Sequence, residues 1–172
     1  MSTLKVGTIQ DHANGNNALV ISNLGIVTTP ARPAFRVALS ADQSIGNNSA
    51  TTIQFNDKSS SGLFDTQGNF STGLYRYTPQ VAGYYSLSAG MLMEHNSPMY
   101  GTIRKNGIVE FQNRAHGESG AGLYPTAQVN GVIHMNGSSD YVECQVYHNA
   151  GSSQNVRGGD KSATYFCGFL IG

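Results

Sequence analysis

From Phe35 to Ile171 the chain is a succession of short runs rich in β-branched and aromatic residues, each cut off by Gly, Asn, Pro, Ser or Asp. No stretch repeats apolar residues at the three- and four-residue spacing of an amphipathic helix. Together these features mark an all-β sandwich or barrel. The runs are FRVALS (35–40), TTIQFN (51–56), GNFST (68–72), LYRYT (74–78), GYYSLSAGMLME (83–94), YGTIRK (100–105), IVEFQNRA (108–115), PTAQVNGVIHM (125–135), DYVECQVYHN (140–149) and ATYFCGFLI (163–171). Asn106-Gly107 supplies the positive φ angles that a two-residue hairpin turn requires, and Asn136-Gly137 opens a slightly longer turn. Composition agrees: 12% of residues are charged, against about 25% in ordinary soluble domains, too few for exposed helices.

The period of two assigns faces. In DYVECQVYH, Val142, Cys144 and Val146 share one side, and Tyr141, Glu143, Gln145 and Tyr147 the other. In GYYSLSAGM, Tyr85, Leu87, Ala89 and Met91 can face a core, while Tyr84, Ser86, Ser88 and Gly90 would let another backbone approach. The run ending at Ile171 is apolar on both faces: Tyr165, Cys167, Phe169 and Ile171 alternate with Phe166, Gly168 and Leu170. Such a strand wants cover on both sides, and self-association supplies it.

The 172 residues suit one domain with a short appendage. Residues 1–30 form the appendage, two strand-like runs (STLKVGTIQ and ALVISNLGIVTTP) around the loop DHANGNN. A hairpin of that size is marginal alone in water, so it needs a partner. The proline-bearing stretch TTPARPAF reads as a linker, placed at 31–33, and the main domain follows at 34–172.

The order and spacing of several motifs resemble the globular C1q domain, a relative of the tumour-necrosis-factor jelly roll. They are AFRVALS, FDTQGNFSTGLYRYTPQVAGYYSLSAG, IRKNGIV, VNGVIHMNGSSDYVECQV and YFCGFLIG, with Phe64-Asp65, Tyr75 to Tyr77, Pro79, Gly83, Tyr85, Asn106-Gly107, Asp140, Val142, Phe166, Gly168, Phe169 and Leu170 at the family's positions. Ser139-Asp140 stands where the family has Gly-Asp, and collagen repeats are absent, so complement-like signalling is not implied. The resemblance implies a ten-stranded jelly-roll sandwich that forms a homotrimer, with Tyr84, Tyr85, Tyr165, Phe166, Gly168 and Phe169 at the subunit interface. Residues 1–30 resemble the openings of structural and tail-fibre proteins of phages, notably those of marine cyanobacteria.

Catalytic and metal motifs are missing: no Gly-rich phosphate loop, no HExxH, no Gly-x-Ser-x-Gly elbow. His116 and Glu118 in RAHGESGAG read as a solvated loop rather than an acid–base or metal pair. His134 and His148 read as strand residues with satisfied hydrogen bonds. Asp57, Asp65, Asp140 and Asp160 are loop oxygen donors, and some C1q relatives bind calcium, but no EF-hand spacing is present. No cofactor is implied. Cys144 and Cys167 form no CxxC; one disulfide could link them, and two thiols acting as small core hydrophobes is the simpler reading. Basic and acidic residues balance at 10 each, which leaves no footprint for nucleic acid or an anionic membrane.

Long polar loops on a rigid sandwich are where binding usually resides. Tyr100, Arg114, Tyr124, Asn155 and Arg157 are the residues able to stack on or hydrogen-bond to sugars. The expectation is a non-enzymatic virion protein of a phage, its trimeric head on a tail fibre or appendage contacting a host-surface glycan or protein. Residues 1–30 would bind other virion proteins. The alternative is a capsid or tail decoration protein that stabilises the particle without binding a receptor. No basic start with an apolar core occupies the first residues, consistent with synthesis in the host cytoplasm.

Overall fold

A computed structural model describes residues 5–13, 15–95, 97–117 and 124–172. The chain divides into two units, Met1–Arg32 and Pro33–Gly172.

The first unit is an antiparallel sheet of β1 (Thr8–Gln10), β2 (Asn17–Ile21) and β3 (Val27–Thr28), in that order. Two runs were expected; the second is split because Ser22–Ile26 folds into a tight turn. Ser22 Oγ accepts from the amides of Leu24 and Ile26, and Gly25 takes a positive φ of 76°. None of this unit's described residues is buried, and Ile9, Leu24, Ile26 and Val27 are exposed.

In the second unit the strands are β4 (Ala34–Ala38), β5 (Gln43–Ile45), β6 (Thr51–Thr52), β7 (Phe64–Asp65), β8 (Phe70–Ser71), β9 (Arg76–Tyr77), β10 (Gly83–Leu92), β11 (Met99–Lys105), β12 (Ile108–Ala115), β13 (Thr126–Met135), β14 (Val142–His148), β15 (Gln154–Val156) and β16 (Tyr165–Leu170). Every described pairing is antiparallel. The first sheet runs β13-β10-β16-β4-β7 and the second β12-β11-β14-β9-β8, with β6 also on β14; β5 and β15 make a separate pair. The long strands fall where the runs predict them. TTIQFN keeps strand pairing only at 51–52, although Ile53 and Phe55 still point inward and are fully buried.

The two sheets enclose one apolar core. Tyr85, Leu87, Ala89 and Met91 of β10 face Ile103 of β11 and Val142, Cys144 and Val146 of β14. Phe35 stacks on Tyr77 at 4.1 Å and meets Phe166 edge-on at 5.0 Å, tying β4, β9 and β16 together. Burial of such rings supplies most of the driving force. Gly168 allows the close approach of β16: a Cβ there would lie 2.6 Å from Leu87 Cδ2, 2.9 Å from Phe35 Cε1 and 2.9 Å from Ser86 O.

The turns are fixed by short polar side chains. Asp65 accepts from the amides of Asn69 and Phe70 and from Lys58 Nζ. Asp140 joins two hairpin turns: Asn106 Nδ2 donates to it at 2.7 Å, the Asn136 amide at 2.9 Å, and Lys105 Nζ lies 2.9 Å away. These donors, Asn106 foremost and then Lys105, hold its carboxyl below the usual range. Tyr85 donates its hydroxyl to Val81 O at 2.8 Å, pinning the Pro79–Gly83 turn to the strand that follows.

Candidate interaction surfaces

Two surfaces stand out, one on the solvent side of each large sheet. On the first sheet, Val132, Ser86, Phe169 and Ala34 are aligned across β13, β10, β16 and β4. The adjoining row holds His134 and Tyr84, and the Ile171 amide donates to Tyr84 O. Tyr84 (57%), Val132 (53%), Phe169 (50%) and Ile171 (44%) keep large exposures, so these rows form an apolar patch that reaches from the edge strand β13 to β16. Charged and polar groups flank it: Tyr165 donates to Gln128 Oε1 at 3.1 Å and lies under the Arg36 guanidinium.

Of the six residues expected at a subunit interface, Tyr84, Phe169 and the half-buried Tyr165 lie on this outer face. Tyr85, Phe166 and Gly168 do not, which corrects their assignment: they occupy the opposite positions of the pleat and are buried in the core. Val132 and Ile171 belong to the patch instead. Their signal was present in the alternation of VNGVIHM and the apolar end of YFCGFLI, but not the knowledge of which face turns inward.

On the second sheet a shallow groove of about 310 Å³ crosses β12, β11 and β14, lined by Ala50, Tyr100, Thr102, Val109, Gln112, Gln145, Val146 and Tyr147. Its rows are set by register. Arg114, Tyr100 and Tyr147 are mutually aligned, as are Gln112, Thr102, Gln145 and Thr52. Tyr100 and Tyr147 place their ring centroids 6.1 Å apart at 54°, and Arg114 lies over the Tyr100 ring at 5.5 Å.

A β-bulge creates this surface. The Asn106-Gly107 turn pairs Lys105 with Ile108 and Arg104 with Val109, but Ile103 then faces Phe111, leaving Glu110 unpaired. One inserted residue reverses the side to which all later side chains point. Phe111 therefore turns inward over Gly131, where a Cβ would come within 2.4 Å of its ring. Gln112 and Arg114 turn outward beside Thr102 and Tyr100.

The five residues expected to bind ligand divide into two groups. Tyr100 and Arg114 lie together, on strands rather than loops. Asn155 and Arg157 lie elsewhere: the Glu94 amide donates to Asn155 O at 2.8 Å, and Arg157 pairs with Glu94 at 3.9 Å. Tyr124 is exposed next to Pro125, whose carbonyl accepts from the Met93 amide. Gln112, Thr102, Gln145 and Tyr147 were not among the expected binding residues, although Gln145 and Tyr147 were assigned to the polar face of their strand.

A roomier cavity of about 520 Å³ is lined by Asp57, Ser60, Asp160 and Lys161 among others. Its carboxylates serve their own loops. Asp57 accepts from the Ser59 and Ser60 amides, and Asp160 from the Ser162 amide and hydroxyl. Hydrogen bonds from Ser60 and Ser162 respectively lower the two pKa values. Among the described residues, no three His, Cys, Asp or Glu side chains cluster closely enough to hold a metal. Of the His116–Glu118 pair, Glu118 lies outside the described residues and His116 is exposed. His148 is fully buried: Nδ1 accepts from the Ala150 amide, which leaves Nε2 to donate to Ile45 O at 3.1 Å. Both cysteines are free thiols; Cys144 faces the core and Cys167 the solvent side of the first sheet.

No family model and no curated protein matches the chain. Solved structures do. The globular domain of the zebrafish complement 1qA protein is 17% identical, over 82% of this chain and 98% of that one, with a TM-score of 0.58. Murine APRIL is also similar: its structure at pH 5.0 is 11% identical over 81% and 99%, with a TM-score of 0.57. The fold is the C1q and tumour-necrosis-factor type of jelly roll.

Proposed function

We propose that this protein is a non-enzymatic homotrimer whose jelly-roll head recognises a host surface from a phage particle, its first unit making the attachment. The observation that carries the self-association is the exposed apolar patch of Tyr84, Val132, Phe169 and Ile171, which runs from the edge strand β13 across β10 to β16 and the residue after it. Monomers rarely leave such patches uncovered. Three weak binding sites on one rigid head gain avidity. The attachment role is supported by the exposed Ile9, Leu24, Ile26 and Val27 of a unit with no buried residue among those described, and by its resemblance to phage fibre openings.

Native mass spectrometry of the wild type and of Phe169→Glu tests the assembly. A trimer reduced to monomer by the substitution is expected; a wild-type monomer sinks the reading. Gold-labelled antibody on purified particles tests the setting. Label at fibre or tail tips supports host recognition, and label over the head supports decoration without a receptor. Unlabelled particles would overturn the virion role.

A further inference from the structure

The groove across β12, β11 and β14 has the chemistry of a saccharide site. We propose that it binds one or two neutral pyranose units, between the tyrosine rings of Tyr100 and Tyr147 and the amides of Gln112 and Gln145. This deepens the recognition half of the preceding reading and rests on it; it needs neither the particle nor the trimer.

Three observations carry it. First, the groove joins aromatic faces to uncharged hydrogen-bonding groups. A pyranose presents C–H faces that pack on rings and hydroxyls that need both donors and acceptors, and a Gln amide offers one of each side by side. Second, these polar groups are poorly used by the protein. Among the described residues, neither the Gln112 amide nor the Tyr100 hydroxyl has a hydrogen-bond partner, and Gln145 Nε2 reaches Thr52 Oγ1 only at 3.4 Å. Tyr147 is the better anchored ring, donating to Asn48 Oδ1 at 3.1 Å. Third, the site is built on strands and needs no loop to order on binding. Its volume of about 310 Å³ is at the small end of ligand pockets, roughly 300–1,000 Å³.

Charge argues for a neutral ligand. Arg104 at the far end is committed to Glu143 at 3.3 Å and to the Gly107 carbonyl. Arg114, aligned with Tyr100, has no carboxylate partner among the described residues, and it stands at the rim above Tyr100 rather than in the lining. A phosphate or nucleotide would have no cation to meet inside.

The test is saturation-transfer NMR of the full-length protein with the methyl glycosides of glucose, galactose, mannose and N-acetylglucosamine, followed by titration of whichever binds. Binding by at least one is expected. Gln112→Ala, at an exposed position on an edge strand, should weaken it roughly three- to tenfold through the lost hydrogen bonds. Tyr100→Ala should weaken it further, and Leu74→Ala, at an exposed turn position outside both the groove and the apolar patch, should leave it unchanged. Circular dichroism of each variant checks the fold. No transfer to any of the four overturns the proposal, as does binding that ignores Gln112→Ala and Tyr100→Ala. Binding confined to glucuronic acid or sialic acid, lost on Arg114→Ala, overturns the neutral assignment. Should purified protein block phage adsorption while no glycoside binds, recognition survives and the groove falls. Should a glycoside bind in the groove without any such block, the groove stands and host recognition falls.

Discussion

Replacing Gly168 by alanine adds one methyl group at the most tightly packed point of β16. Two effects oppose each other. Restricting the unfolded chain favours the alanine protein by about 0.5–1 kcal/mol. In the folded state, however, the new carbon would lie 2.6 Å from Leu87 Cδ2, 2.9 Å from Phe35 Cε1 and 2.9 Å from Ser86 O. Comfortable carbon–carbon contact is about 3.5–4.0 Å. Leu87 can rotate, but Phe35 is held between Tyr77 and Phe166, and Ser86 O belongs to the paired strand β10. Overpacking of this kind costs about 1–3 kcal/mol. The net loss is therefore about 0–2.5 kcal/mol, read as a lower urea midpoint with an unchanged slope, at one protein concentration because any assembly would contribute to stability. Gly73→Ala is the matched control. It adds the same methyl group where nothing lies within 4 Å and φ is not left-handed, so its midpoint should hold or rise slightly. A Gly168→Ala protein that gains as much stability as Gly73→Ala would refute the placement of β16 against Leu87 and Phe35.

Asp140→Asn should destabilise the protein by about 1–3 kcal/mol at neutral pH, because a carboxylate bridging two turns loses its charged hydrogen bonds. Since the folded pKa of Asp140 is lowered, its contribution is complete above the unfolded value of about 4 and fades as pH falls through the folded one. The variant should thus lose part of the wild type's acid sensitivity in urea titrations below about pH 4; equal acid slopes would count against the bridge. Burial pushes the Cys144 thiol well up and raises Cys167 less. In native protein a thiol reagent should label Cys167 first and reach Cys144 only on unfolding. On the proposed assembly, Phe169→Glu should expose Cys167 and speed its labelling over the wild type, and equal rates would count against a subunit contact at this patch.

Much of the sandwich was legible because turn residues interrupt the runs so regularly. IVEFQNRA became a strand of the expected length, since the Asn-Gly turn before it acts locally. What escaped were pieces too short to show a period: Gln43–Ile45, Phe64–Asp65 and Gln154–Val156. Faces were harder than strands. Alternation says that Phe166 and Gly168 share a side, but with both sides apolar it cannot say which side is inside. That is why Phe166 and Gly168, expected at an interface, turned out to be core, whereas the alternation of β10 had already put Tyr85 on the side able to face a core. The groove was hidden for a different reason. Tyr100 and Tyr147 meet only through a pairing between strands distant in sequence, and Gln112 faces Thr102 only because Glu110 is an extra residue in the hairpin.

The place of β16 has a consequence for how the molecule is made. It fills the gap between β10 and β4, yet the ribosome delivers it after both. Until then β4 and β10 each carry an open edge and an uncovered apolar side, and the first large sheet cannot close. Contacts spanning most of a domain are slow to form, and open edges invite mispairing with other chains. The first large sheet should therefore be completed only after Tyr165–Leu170 has been made, and a nascent chain stopped before Tyr165 should be the species most in need of a chaperone.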